Sequence, residues 1–339
     1  MSPEEALAEA ARAGIHRLRI PTPFAVGRVN CYLLDDDPLT LIDTGPNSGK
    51  ALDDLEQGLD ALGHSIEDLE LVIITHQHID HLGLVEIIAK RSGAEVAALG
   101  LASRRLANFA ADAELDDRFA ADLMLRSGIP ENVVIALKGV SRSFRAWGSH
   151  AHVTRPLADG DLLGFRDRKL QVFHRPGHSP SDTVFWDAER QILIAADHLI
   201  AHISSNPLIT RALDGSEART QALIAYLDSL AKTRAMPARI VLSGHGEPIT
   251  NHVDLIDSRI QLTARRKAKI MNLISEQPRS GHEIAQALWG DVAVTQAFLT
   301  LSEVIGHVDL LLSEGLVDEV EADGVVRYHP TALAGIGQD

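Results

Sequence analysis

The stretch 75-THQHIDHLG-83 places three histidines and one aspartate within six positions, directly after the apolar run 71-LVIIT-75. Imidazole and carboxylate groups are the ligands that zinc and similar divalent metals prefer in proteins. Packing gives no reason to gather them here, because an unpaired buried charge is costly. The stretch therefore predicts a metal site on an extended loop that leaves a strand. The four side chains are those of His76, His78, Asp80 and His81.

Three more donor side chains lie far from this stretch in the sequence. His178, Asp197 and His245 each follow a predicted strand directly. Because α/β folds commonly gather their sites at strand ends along one edge of a sheet, we expect these donors to join the cluster. The three segments that carry them are 176-PGHSPSD-182, 195-AAD-197 and 243-SGHG-246.

Length and composition limit the classes of protein that fit. At 339 residues the chain exceeds the usual size of one domain, so we expect two. The chain has 47 acidic and 32 basic residues, a formal charge of -15, which disfavours nucleic acid as a partner. A single cysteine, Cys31, excludes an internal disulfide framework. The first residues lack signal-peptide features and no apolar run approaches about 20 residues, so we expect a cytoplasmic protein without a membrane partner.

Short apolar runs alternate with helical patterns, which is typical of a layered α/β fold. The predicted strands span 29–34, 39–43, 71–75, 95–99, 169–174, 183–187, 191–196 and 239–243. The predicted helices span 48–63, 82–93 and 215–233. Short connections make antiparallel hairpins of the strand pairs 29–34/39–43 and 183–187/191–196, so we expect mixed sheets.

Two segments interrupt this alternation. Residues 100–156 are mostly helical in pattern, and we expect this insertion to cap the site within a catalytic domain spanning 1–264. Residues 265–339 form a predicted small α+β domain of three helices and a hairpin with Asp323-Gly324 as its turn, which resembles a winged helix. Seven acidic residues and one arginine between positions 296 and 329 argue against nucleic-acid binding there. We expect this domain to wall the site or to support a homodimer.

The His-x-His-x-Asp-His pattern, the three later donors and 41-LIDTG-45 together resemble the metallo-β-lactamase-fold hydrolases over residues 15–260. The resemblance implies an αββα sandwich of two mixed β-sheets flanked by helices, with a dinuclear metal site. It assigns His76, His78 and His178 to one metal, Asp80, His81 and His245 to the second, and Asp197 to both. Asp43 matches an aspartate that supports the ligand loops.

The resemblance also implies the chemistry. Two divalent ions would share a hydroxide that attacks the substrate, with Zn²⁺ preferred and Mn²⁺ or Fe²⁺ as alternatives. Asp80 would orient the hydroxide and pass a proton to the leaving group. Asp197 stands where the best-known class of β-lactam-hydrolysing members has a cysteine, and His78 where oxygen-reducing diiron members have a glutamate. The chain then resembles glyoxalase II-like thioesterases, lactonases, phosphoesterases and the lactamase-like hydrolases with a C-terminal winged helix. We therefore expect hydrolysis of an ester, thioester or lactone bond in a small anionic substrate. A phosphoesterase or RNA-cleaving nuclease is the alternative, and a non-catalytic regulator a more distant one.

Further candidates concern substrate binding. The run 138-KGVSRSFRAWGSHAHVTRPLA-158 has no acidic residue, and we predict that its Arg142 and Arg145 bind an anionic substrate; the alternative is a surface helix paired with carboxylates. His198 and His202 are four positions apart, so one helical turn would bring both toward the site as catalytic groups. Hydrogen bonding behind the ligands is the alternative for both.

Overall fold

Two β-sheets face each other in the computed structural model, which describes residues 1–214, 216, 218–292 and 296–332. The first sheet has its strands in the order β1 to β6: Ile15–Ile20, Val29–Leu34, Thr40–Ile42, Leu71–Ile74, Glu95–Leu99 and Arg155–Leu157. The second sheet runs in the reverse order, β11 to β7: Ile240–Ser243, Ile192–Ala196, Thr183–Asp187, Lys169–His174 and Leu162–Gly164. Both sheets combine parallel and antiparallel pairs, as expected from the hairpins.

The apolar strands are buried on both faces, and β4 shows how. Leu71 and Ile73 point between the two sheets, whereas Val72 and Ile74 pack against the helices outside the first sheet. Side chains alternate in this way because successive residues of a strand point to opposite faces. A strand that is buried on both faces therefore appears in the sequence as an uninterrupted apolar run.

Helices cover the outer face of each sheet, which confirms the αββα sandwich. Gly49–Asp60 and Val85–Ser92 pack on the first sheet, and Ala222–Arg234 and the start of His252–Glu276 pack on the second. Further helices in the described part of the chain include Pro3–Arg12, Ile66–Asp68, Ile79–Leu82, Gly100–Ala102, Ser103–Ala107, Phe109–Arg126, Glu131–Phe144, Arg145–Trp147, Gly281–Trp289 and Ala297–Ser313. No helix in the described part of the chain is both long and apolar enough to cross a lipid bilayer.

Two predicted helices begin elsewhere. The helix predicted over 82–93 is Val85–Ser92, and a separate short helix, Ile79–Leu82, precedes it. The start predicted at 215 is wrong, because the helix begins at Ala222; positions 215 and 217 lie outside the described residues. Arg219 instead forms an isolated antiparallel β-bridge with Arg211, so the backbone at Arg219 is extended and not helical.

The C-terminal region has its own three-stranded sheet of Arg279–Ser280, Val325–Pro330 and Val317–Ala322. The predicted hairpin turn is confirmed: Asp323 and Gly324 both have positive φ, 54° and 74°, as a two-residue type I′ turn requires. The helix His252–Glu276 runs through the predicted domain boundary at 264/265. The likeness to a winged helix stays a prediction.

The insertion contains three main helices between Ser103 and Phe144, called the cap below. Its far end packs against the helix Ala297–Ser313, called the C-terminal helix. One apolar cluster joins them through Met124, Ile129 and Val134 of the cap, Ile209 and Ala222 of the intervening segments, and Ala297, Leu301 and Ile305 of the C-terminal helix. The cap and the C-terminal region therefore pack as neighbours beside the sandwich.

Candidate metal centre

The structure brings all seven predicted metal ligands together at one edge of the sandwich. Each follows the carboxyl end of β4, β8, β10 or β11. Asp80 and His81 lie on the short helix Ile79–Leu82, so the extended loop predicted for the whole motif is wrong for these two ligands. Their donor atoms form three overlapping groups, each with all atoms within 4.8 Å of one another. The groups are His76, His78 and His178; His76, His81 and Asp197; and Asp80, His81 and His245.

Three imidazoles form one side of the cluster. Nε2 of His76 lies 3.0 Å from Nδ1 of His78, and Nε2 of His178 lies 2.9 Å from the same atom. Burial lowers the pKa of His78 to about 3, and the neighbouring imidazole of His178 adds to the effect. Burial also holds the pKa of His76 well below its ordinary value. These imidazoles are therefore neutral, the form that binds a metal.

Carboxylates form the other side, with Asp197 between the two halves. Asp197 Oδ1 lies 3.4 Å from His81 Nε2, while its Oδ2 lies 3.4 Å from His245 Nε2 and 3.6 Å from His178 Nε2. Asp80 Oδ2 lies 3.3 Å from His245 Nε2. Burial alone would lower the pKa of His245, but Asp197 and Asp80 outweigh it and raise that pKa to about 10. This half of the cluster therefore attracts positive charge.

Two buried polar atoms of the cluster support a bound cation. His81 Nε2 and Asp197 Oδ1 have no hydrogen-bond partner among the described residues. Leaving such atoms unsatisfied is costly, and a metal ion between them would satisfy both. Gly244 keeps the space open, because a Cβ there would lie 2.1 Å from Asp197 Oδ1. The donor set and its geometry fit a divalent metal site.

Asp43 holds the cluster from behind. Its Oδ2 accepts a hydrogen bond from His81 Nδ1 at 2.7 Å, which directs His81 Nε2 toward the other donors. The backbone N–H and the hydroxyl of Thr75 donate to its two oxygens, at 2.9 and 2.8 Å. The supporting position predicted for Asp43 is the one the structure shows.

Two backbone carbonyls orient further ligands and had no signal in the sequence. The Arg28 carbonyl lies 2.9 Å from His245 Nδ1, and the Asn206 carbonyl lies 3.2 Å from His178 Nδ1. A proton on Nδ1 in each case leaves Nε2 free to bind a metal. Every residue carries a backbone carbonyl, so no side-chain pattern marks these two.

The structure separates His198 from His202, and the helical turn expected to join them is wrong. Residues 197–203 form an irregular loop. His198 is buried in the core beside the second sheet, with Nε2 2.8 Å from the Thr233 hydroxyl. A catalytic contact of His198 with substrate is therefore not possible in this position. His202 is exposed and its ring lies against Gly246, where a Cβ would be 2.6 Å from Nδ1.

The two candidate arginines lie on the cap and face carboxylates. Arg142 Nη2 lies 3.1 Å from Glu114 Oε1, and Arg145 Nη1 lies 3.1 Å from Glu114 Oε2. Arg145 also pairs with Asp117, which is buried. These contacts fit the alternative interpretation, a helix face paired with neighbouring carboxylates, and the substrate-binding role stays a prediction.

An aromatic pair joins the cap to the loop before β2. The rings of Phe24 and Phe144 meet edge to face with centroids 5.6 Å apart, and Phe144 is 42% exposed. The loop that carries Phe24 ends at Arg28, whose carbonyl orients a metal ligand. Just after the cap, Gly148 packs against Ile79, which lies inside the ligand motif. Each ring thus lies four residues before a residue that contacts a ligand-bearing segment.

An αββα sandwich with histidine and aspartate donors gathered at one edge defines a metal-dependent hydrolase. Residues 25–245 match the family model of the metallo-β-lactamase superfamily, and the chain belongs to that superfamily. The resemblance seen in the ligand motif is thereby confirmed. The metal-dependent hydrolase class follows from this membership and from the donor geometry.

Similar proteins agree with this assignment. Over 300 residues the chain is 33% identical to the probable metallo-hydrolase YqjP of Bacillus subtilis strain 168, covering 88% of this chain and 92% of that one. Over 231 residues it is 25% identical to the hydroxyacylglutathione hydrolase of Rhodospirillum rubrum, covering 67% of each. The crystal structure of a β-lactamase domain protein from Burkholderia ambifaria matches with a TM-score of 0.80 at 26% identity, covering 94% of this chain and 92% of that one.

Proposed function

We propose that this protein hydrolyses an ester, thioester or lactone bond of a small substrate at a centre of two divalent metal ions. The observation that carries the proposal is the gathering of seven donors in three overlapping groups, with the Asp197 carboxylate facing His81, His178 and His245. One relative is a hydroxyacylglutathione hydrolase, and this favours a thioester over an ester or a lactone as the bond that is cleaved.

Each half of the cluster would hold one ion. His76, His78 and His178 form the first set, and Asp80, His81 and His245 form the second. Mixed imidazole and carboxylate ligands suit zinc, with manganese and iron as alternatives. When bound, the ions supply an activated water at neutral pH and a polarised scissile carbonyl.

Two side chains would act on the reacting atoms. Burial would raise the pKa of Asp80, but His81 and His245 outweigh it and lower that pKa. Asp80 is therefore ionised at neutral pH, so it can accept a proton from the attacking water and pass it to the leaving group. His202 is exposed beside Gly246, next to the ligand His245, where its imidazole would donate to the developing oxyanion.

The aromatic pair of Phe24 and Phe144 is a candidate surface for an apolar acyl part of the substrate. The two rings present aromatic surface four residues before a contact with a ligand-bearing segment. Aromatic side chains contribute a large apolar contact area, which suits the acyl chain of an ester or thioester. We also predict that Arg142 and Arg145 bind an anionic group of the substrate.

The test combines metal content with a substrate panel. The purified full-length protein is analysed for bound metals and assayed against a thioester, a lactone, an aryl ester and a phosphodiester. We expect about two metals per chain, with a thioester or ester cleaved and kcat/KM reduced at least about 100-fold in Asp80→Ala. The matched control is Asp122→Ala, on the exposed surface of the cap, which keeps full activity.

Other outcomes have defined meanings. Turnover of the phosphodiester alone would reassign the bond to a phosphoester, with RNA as the next substrate to test. One metal or none, and no turnover after metal reconstitution, would overturn the hydrolase proposal. The chain would then have to be a binding protein with a preserved ligand set.

A further inference from the structure

The segment 205–210 lies between the metal cluster and the C-terminal helix. On the cluster side it joins His178 twice: the carbonyl of Asn206 is 3.2 Å from His178 Nδ1, and the N–H of Leu208 donates to the His178 carbonyl at 3.3 Å. The first contact settles which ring nitrogen is protonated, and the second holds the backbone of the ligand. Together they fix where His178 Nε2 points.

On its other side the same segment is attached to the C-terminal helix. The side-chain amide of Asn206 donates from Nδ2 to the carbonyl of Leu299 at 3.1 Å. The N–H of Ile209 lies 3.4 Å from the hydroxyl of Ser302. Ile209 is fully buried in the apolar cluster that joins the cap and the C-terminal helix. The helix therefore holds the segment by two polar contacts and by packing.

Asn206 connects the two sides within one residue. Its backbone carbonyl faces the metal ligand, while its side chain faces Leu299, 93 positions later in the chain. Leu299 lies beyond residue 245, where the match to the superfamily model ends. A ligand inside the shared domain is thus held in place by an element outside it.

We propose that Asn206 is a positioning residue through which the C-terminal helix sets the geometry of the metal ligand His178. The proposal rests on the metal centre of the proposed function. It assigns the C-terminal region a part in building the site. Loss of the Asn206 amide would let its carbonyl move away from His178 Nδ1, and the ring would then rotate out of its metal-binding orientation.

The test uses the full-length protein loaded with Co²⁺, whose visible absorption depends on the arrangement of its ligands. Asn206→Leu removes the amide donor while keeping the branching and the number of heavy atoms, and Asn206→Ala is used instead if the bulkier leucine variant fails to fold. We expect a changed Co²⁺ spectrum and an affinity for Zn²⁺ lowered on the order of tenfold, measured by competition with a chelator. Ser302→Ala is the matched control, because it loosens the same junction and leaves Asn206 and His178 in contact.

The outcomes distinguish this proposal from the hydrolase assignment. A lower melting temperature with an unchanged Co²⁺ spectrum and Zn²⁺ affinity would make Asn206 merely structural and overturn the proposal. An equal spectral change in Ser302→Ala would also overturn it, since the effect would then come from the junction in general. A parent protein that binds metal but cleaves no ester would refute the proposed function alone, and a parent that binds no metal would refute both.

Discussion

Two residues beside the ligands have a left-handed backbone although neither is glycine. Asp43 has φ 60° and Ala196 has φ 44°, and each lies at the end of a strand, β3 or β10. Such conformations cost of the order of 1–3 kcal/mol and persist only where the surroundings hold them. Hydrogen bonds from Thr75 and His81 hold Asp43, and the N–H of Gly244 donates to the Ala196 carbonyl at 2.8 Å. These hydrogen bonds therefore hold a strained backbone at two of the strand ends that carry or support the ligands.

A single methyl group at Gly244 would test how tightly the ligands are arranged. A Cβ there would lie 2.1 Å from Asp197 Oδ1 and 2.9 Å from His81 Cε1, so at least one of these groups must move. We expect Gly244→Ala to lower metal affinity by at least about tenfold, measured by chelator competition. In the control Gly139→Ala the new methyl meets open space within a helix, so metal affinity stays constant and stability rises by up to about 1 kcal/mol. Equal metal affinities in both variants would show that the cluster tolerates displacement.

The strands with the clearest sequence patterns were predicted with their exact bounds: Val29–Leu34, Glu95–Leu99 and Lys169–His174. Val29–Leu34 is buried on both faces, whereas Lys169–His174 alternates between buried and more exposed residues, and both patterns are typical of strands. The edge strands Ile15–Ile20, Arg155–Leu157 and Leu162–Gly164 were not predicted. The last two are only three residues long, and polar residues interrupt the apolar pattern of Ile15–Ile20.

The same division applies to the site. Its ligands carry side chains that only metal binding explains, so their pattern was visible in the sequence. The backbone carbonyls of Arg28 and Asn206 contact metal ligands only because distant segments of the chain pack together, so the sequence did not predict these contacts. The separation of His198 from His202 depends on tertiary packing in the same way. Backbone contacts between distant segments leave no periodic or compositional trace.

The cap offers a comparison of two arginines on neighbouring turns. Arg145 neutralises the buried Asp117, whereas the Arg142 side chain is 54% exposed and pairs with Glu114. We expect Arg145→Ala to destabilise the protein by about 1–3 kcal/mol, because it leaves a buried carboxylate without its ion pair. Arg142→Ala should cost about 0–1 kcal/mol, since exposed ion pairs contribute little. Urea unfolding measures both values.

Steady-state kinetics on an anionic thioester and a neutral ester complete that comparison. If the arginines act only within the cap, KM for both substrates stays near that of the parent in Arg142→Ala. A rise in KM confined to the anionic substrate would support the anion-binding role predicted from the basic run, and an unchanged KM would refute that role for Arg142.

At the scale of the whole molecule, the C-terminal region is integrated with the hydrolase fold. One helix, His252–Glu276, begins on the second sheet and ends in the C-terminal core. The N–H of His282 donates to the carbonyl of Ser127 in the cap at 3.0 Å, and the shared apolar cluster lies beside this contact. Titration of a buried group in the C-terminal helix should therefore affect the stability of the whole chain.

His307 is such a group. It is 1% exposed, its Nδ1 lies 2.7 Å from the Glu303 carbonyl, and its Nε2 has no partner among the described residues. Burial lowers its pKa below the ordinary 6.5; the Glu303 carboxylate opposes this shift, and Arg266 and Lys267 add to it. Below pH 6.5 the unfolded chain binds a proton that the folded chain resists, so this group destabilises the fold as the pH falls.

We expect His307→Leu to lose less stability than the parent between pH 7.5 and 5.5, measured by urea unfolding of metal-free protein. At pH 7.5 the variant should be as stable as the parent or more so, because leucine removes an unsatisfied nitrogen. All other titrating groups are common to both proteins. If parent and variant lost the same free energy of unfolding between pH 7.5 and 5.5, folding would not lower the pKa of His307, and the prediction would be wrong.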